Sequence, residues 1–158
     1  SRGLGDVYKR QEEEWRSIKE RGILRTEDAY SFKTIADICQ KCFGKDANYR
    51  IQRSFFHVAD NRMLWCPKLA IELPDGSKVA QSRGWINELS ADWNVIIEHN
   101  DSGATPVKHP DQPRYTFAKS KDERGKDAYR FIGIFQWSET TPSGEHIYKR
   151  MASDMKLK

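Results

Sequence analysis

The stretch AYRFIGIFQW, residues 128–137, is largely apolar on both sides when read as a strand. Side chains of a strand alternate between faces. Tyr129, Phe131, Gly133 and Phe135 fall on one face, and Ala128, Arg130, Ile132, Ile134 and Gln136 on the other. Such a strand belongs at the centre of a sheet covered on both sides. Gly133 in its middle marks a bulge, a corner or a close backbone approach. RYTFAKSK (114–121) precedes it across the turn DERGKD (122–127), and EHIYKRMA (145–152) follows across SETTPSG (138–144). Three strands joined by turn chemistry make a meander.

The rest of the chain can be read around that meander. EEEWRSIKERG (12–22) carries acids in a first turn and ends on Gly22, which predicts a short helix. In SFKTIADICQKCFG (31–44), Phe32, Ile35, Ile38, Cys39, Cys42 and Phe43 recur at three- and four-residue spacing before Gly44, predicting an amphipathic helix with a glycine cap. From there the period becomes that of strands: YRIQRSFFHV (49–58), RMLWCPKLAIEL (62–73), GWINEL (84–89) and WNVIIEHN (93–100). Pro67 places an edge or bend inside the second of these. PDGS (74–77), SAD (90–92) and NDSG (100–103) are turns, and the proline-rich ATPVKHPDQP (104–113) is a loop. The expectation is α+β, with helices within 12–44 followed by an antiparallel, barrel-like sheet over 48–152.

The opening SRGLGDVYKRQ (1–11) resembles the translation of a sequencing adapter. It is set aside as an artefactual leader, with 12–158 read as one domain of ordinary size from a longer microbial, metagenomic protein. Charge is unevenly spread. Residues 12–112 hold 14 basic and 16 acidic side chains, whereas 113–158 hold 10 and 6, so the basic character gathers in the C-terminal third. No run approaches the ~18 apolar residues of a membrane span. Three cysteines form no disulfide framework and suit a reducing, cytoplasmic setting.

Within the meander the pattern is Phe117-x-Lys119, then Tyr129-x-Phe131-x-Gly133-x-Phe135, then Tyr148-x-Arg150. Over residues 114–151 this resembles the terminal meander of barrel modules found beside helicases and nucleases in bacterial defence systems. More distantly it is similar to the PUA-like superfamily, which includes the SRA and EVE readers of modified bases. The resemblance implies a small barrel that holds a flipped base between aromatic rings and serves restriction–modification or other DNA processing.

The function expected is a non-catalytic module that binds DNA or RNA and reads a modified or flipped base for an associated nuclease or helicase. Lys119, Lys121, Arg124, Lys126 and Arg130 are the candidate phosphate contacts, although Asp122, Glu123 and Asp127 interleave with them and offset much of the charge. Tyr129, Trp93 and Trp137 are the stacking candidates, since base–aromatic stacking contributes roughly 1–3 kcal/mol per base. Asn87 or Asp92 could pair with a base edge. Trp65, Trp85 and Trp93 also fit a plain core.

The competing class is a protein-interaction scaffold in which every aromatic is core. A third is a metal-dependent nuclease. Pro74-Asp75 and Pro110-Asp111 supply half of its motif, but Glu123-x-x-Lys126 has the wrong spacing and His99-Asn100-Asp101 stands alone. Cys39, Cys42, His57 and Cys66 have the composition of a zinc site. Cys39 and Cys42, however, lie on an apolar helical stripe, where thiols behave as small hydrophobes. No cofactor is expected, and no catalytic residue is assigned.

Overall fold

The computed structural model describes residues 3–80 and 83–158. Ser1 and Arg2 of the stretch set aside lie outside them. Helix α1 runs Leu4–Arg21 and stops at Gly22, whose φ of 75° and backbone N–H to the Ile18 and Lys19 carbonyls close the last turn. The helix expected at 12–22 thus begins eight residues earlier, with Val7 and Ile18 on its buried side. Strand β1 (Ile23–Arg25) and a 3-10 turn (Thr26–Asp28) lead to β2 (Ser31–Phe32). Helix α2 is Ile35–Cys42, with Thr34 Oγ1 accepting from the Asp37 N–H. Residues 31–32, read from sequence as the start of this helix, pair instead with the central strand. The Thr34 cap defines where helix begins.

The strands continue as β3 (Phe55–Ala59), β4 (Arg62–Trp65), β5 (Ile71–Glu72), β6 (Lys78–Val79), β7 (Trp85–Leu89) and β8 (Val95–Asn100). The meander then follows as β9 (Arg114–Lys121), β10 (Asp127–Thr140) and β11 (His146–Ala152), and β12 (Asp154–Lys156) closes the chain. Strand β12 pairs with β1, which ties the two ends of the described chain together.

The main sheet has eight strands in the order β3-β4-β9-β10-β11-β8-β7, with β2 added to β10. As expected, β10 is central: it pairs with β9, β11 and β2. Two expectations are corrected. The sheet is mixed, because β4 runs parallel to β9. It is also open, since β3 and β7 end the hydrogen-bonded path without pairing to each other. The register of β10 shifts at Phe131/Gly133, Ile134/Phe135 and Trp137/Glu139, and such bulges bend a strand. The sheet therefore curls without closing into a barrel.

Two apolar cores flank this curl. One joins α1 and α2 to the sheet through Ile18, Phe32, Ile38, Cys39, Leu64, Phe117 and Phe131. The other, built from Trp65, Ile96, Ile132, Phe135 and Tyr148, leads into the candidate site. No helix among the described residues is long and apolar enough to cross a membrane.

Candidate base-binding cavity

Three antiparallel strands set the polar floor of the site. Asn87 on β7 lies opposite Glu98 on β8, and Glu98 lies opposite His146 on β11. All three are buried. Trp85, two residues before Asn87, emerges on the same face, and so does Tyr148, two residues after His146. Arg114, the first residue of β9, enters from the far side of β10. The loop between β8 and β9 adds Thr105, Pro106 and Lys108. Together these groups enclose a cavity of about 590 Å³ whose aromatic walls include Phe55, Trp65, Trp85, Tyr129 and Tyr148. A hollow of similar volume beside residues 57–61 is bounded by a single hairpin turn and gathers no convergent polar set.

The polar groups are incompletely satisfied. Asn87 hydrogen-bonds through its side chain to Glu98, whereas its Oδ1 is buried without a partner among the described residues. An orphaned buried acceptor costs roughly 1–3 kcal/mol, so the site is built short of one donor. Burial pushes the Glu98 carboxyl above its ordinary range. The Arg114 charge and hydrogen bonds from Tyr148 and Asn87 pull it the other way without prevailing. Tyr148 Oη donates to Glu98 Oε1 over a long 3.5 Å, and burial keeps that phenol protonated.

Arg114 is only 4% exposed. Its guanidinium lies 4.3 Å from the Phe55 ring centre, 4.7 Å from Trp65 and 4.3 Å from Tyr148, a cage of aromatic faces that suits a desolvated cation. It also donates to the Lys108 carbonyl at 3.1 Å, fastening the loop. A second fastening is His146. Its Nε2 lies 3.1 Å from Thr105 Oγ1 and its Nδ1 2.8 Å from Thr140 Oγ1, while Trp137 Nε1 donates to the same Thr140 hydroxyl. Burial lowers the proton affinity of that imidazole.

The residues singled out in the sequence divide between this cavity and other places. Lys119 and Tyr129 line it. Trp137 packs partly buried against the second core. Trp93 packs there too, in a turn at φ 65°, with the Arg130 guanidinium 4.8 Å from its ring; neither tryptophan lines the cavity. Lys119 and Lys121 both pair with Asp127, at 3.5 and 2.6 Å. Arg124 pairs with Asp122 at 3.1 Å and donates to the Tyr8 hydroxyl. Lys126 caps the same hairpin through its backbone N–H to Asp122 Oδ1. Asp92 turns back on Ser90 and Asn94, away from the cavity.

Among the described residues, the candidate zinc and nuclease groups are not gathered into one cluster. No group of three or more His, Cys, Asp or Glu residues with ligand geometry occurs among the described residues. Cys39, Cys42 and Cys66 are buried free thiols, and burial raises all three, Cys39 to about 11. Glu98 and Arg114 were not singled out, and Tyr148 entered only as part of the Tyr148-x-Arg150 pattern. Glu98 follows the apolar run Val95, Ile96 and Ile97 on its strand, and a lone acid at the end of such a run was its available signal.

A curled α+β sheet with a polar-floored, aromatic-walled cavity offers a concave space sized for a small ligand or a single residue rather than a flat docking surface. The model of the SRA (SET and RING associated) domain family matches residues 17–157, and the chain belongs to that family. Among solved structures it is similar to the 5-hydroxymethylcytosine-specific restriction enzyme AbaSI, with a TM-score of 0.68 and 22% sequence identity over 90% of this chain. The match covers 45% of the AbaSI chain, so this chain spans less than half of that protein's length. No curated protein matches.

Proposed function

We propose that this domain is a DNA-binding module that receives one flipped cytosine-type base, modified at C5, in the 590 Å³ cavity, and that an associated nuclease or helicase acts on the DNA in the cytoplasm of a microbial cell. The observation that carries the reading is the buried, unpartnered Asn87 Oδ1 beside the buried Glu98. Cytosine offers a donor at N4 next to an acceptor at N3. Asn87 Oδ1 accepts from N4–H, and a protonated Glu98 donates to N3. Thymine would set its O4 acceptor against Asn87 Oδ1 and lose that match. The aromatic walls supply stacking, and Lys68, Lys108 and Lys119 on the lining supply cations for the flanking phosphates. Membership of the SRA family and similarity to an enzyme named for 5-hydroxymethylcytosine favour a modified base over a plain one.

The deciding experiment compares binding to one duplex sequence carrying cytosine, 5-methylcytosine, 5-hydroxymethylcytosine or thymine at a single site, at low and moderate salt. Preference for a modified cytosine, lost in Asn87→Ala, is the expected result. Equal affinity for all four duplexes, or none at low salt, overturns the reading.

A further inference from the structure

We infer that Arg114 is the positioning residue of the cavity: caged by Phe55, Trp65 and Tyr148, it holds the base-reading strip on one side and the loop 104–113 on the other. The inference rests on the base-reading proposal and goes beyond it by assigning a role to a residue that need not touch the base.

A buried guanidinium is costly unless its charge and its donors are used. Here the three rings take up its faces. One Nη donates to Lys108 O, in the loop that brings Thr105, Pro106 and Lys108 to the cavity. Its charge acts on Glu98 and on Tyr148, whose hydroxyl reaches Glu98 Oε1. One side chain thereby joins three elements, β9, the β8–β9 loop and the Glu98 strip, beside the Thr105–His146 bond that also fastens the loop. A lysine could supply the charge. It could not also present a planar fork to the loop while stacking on rings.

Arg114 also tunes the carboxyl that reads N3. The groups facing Glu98 are Asn87 from β7, Tyr148 and the neutral His146 from β11, and Arg114 from β9, with Lys68, Lys108 and Lys119 around the same lining. Burial favours the protonated carboxyl and Arg114 opposes it. Binding of a cytosine edge that needs the Glu98 proton weakens as pH rises through the Glu98 pKa. Removing the Arg114 charge raises that pKa further, so the alkaline fall in affinity moves to higher pH. A residue that only fills space would lower affinity equally at every pH.

The test measures affinity of the whole chain for a 5-hydroxymethylcytosine duplex from pH 5 to 9 at fixed ionic strength, for wild type, Arg114→Met, Arg114→Gln and Arg114→Lys. Thymine duplex serves as the reference at each pH, which removes the general effect of pH on phosphate contacts. The neutral variants are expected to move the fall in the ratio to higher pH, and Arg114→Lys to leave its position in place while lowering affinity several-fold. Arg114→Gln keeps a donor for Lys108 O and carries the same test should Arg114→Met not fold. A parallel loss with no displacement in either neutral variant overturns the role of Arg114 while leaving base reading intact. A wild type with no preference for the modified base, or with a ratio independent of pH and insensitive to Glu98→Gln, overturns the underlying reading instead.

Discussion

Asn87 and Glu98 stand opposite one another on β7 and β8, joined by a side-chain hydrogen bond that uses the amide of one and the carboxyl of the other. Each holds the other's geometry while leaving Asn87 Oδ1 free for a ligand. The pair acts as a unit, so single substitutions should be strongly non-additive. Asn87→Ala and Glu98→Ala should each reduce discrimination between modified cytosine and thymine by about 5- to 150-fold, the ~1–3 kcal/mol of one good base pairing. The double variant should lose little more. Competition binding on the four duplexes checks this, and additive losses would separate the two residues.

His146 predicts a pH effect on stability rather than on recognition. Its ring is 2% exposed and bridges Thr105 to Thr140, and burial lowers its pKa below the ordinary value. The unfolded chain takes up a proton near pH ~6.5, whereas the folded chain does so only lower. The stabilisation is therefore present above about pH 6.5 and is lost as pH falls towards the folded value. Thermal melts should show wild type losing Tm between pH 7 and 5 faster than His146→Asn, which lacks the titration. Parallel curves for the two proteins would exclude the effect.

Gly133 is the mid-strand glycine on which the central strand turns. Its φ is 134°, and a Cβ there would overlap Arg150 Cδ and lie 3.0 Å from the Ala152 carbonyl oxygen. Strain of this kind costs roughly 1–3 kcal/mol per residue. Gly133→Ala should lower stability by that amount in denaturant titrations, and an unchanged midpoint would mean that the β9–β10 bulge at Gly133 relaxes freely.

What could be read from sequence, and what could not, follows from the range of the forces involved. The meander of β9, β10 and β11 was legible because alternation and turn residues are local signals, and Gly133 announced its bulge. The mixed sheet was not, since the parallel pairing of Met63, Leu64 and Trp65 with Arg114, Tyr115 and Thr116 joins segments some fifty residues apart with no local trace. Closure of the barrel failed for a similar reason: it depends on register at the two outer strands, which no single window records. Trp93 and Trp137 were plausible rings at strand ends, yet a positive φ at Trp93 and a Thr140 hydrogen bond at Trp137 draw them into packing. The cavity's own residues were mostly missed because Glu98, Arg114 and Tyr148 look ordinary singly. They become a site only when three strands, β8, β9 and β11, bring them together.

The hairpin between β9 and β10 gives the last prediction, because its cations are already partnered. Asp127 holds both Lys119 and Lys121, and Asp122 holds Arg124; the Lys121–Asp127 pair is exposed, where such pairs are weak, while Arg124 and Asp122 are largely covered. DNA phosphates would compete with these carboxylates for the same lysines. If the hairpin contacts the backbone, Lys119→Gln and Lys121→Gln should each reduce the slope of log K against log salt by about 0.9, the value for one phosphate of duplex DNA. Asp127→Asn should do the opposite and strengthen binding at low salt, since it releases two cations at once. Base preference should be unaffected by Lys121→Gln, which lies outside the cavity lining, and should shift modestly with Lys119→Gln, which lies on it. Salt slopes identical to wild type in all three variants would make the hairpin a solvated surface and leave phosphate binding to Lys68 and Lys108 at the cavity rim.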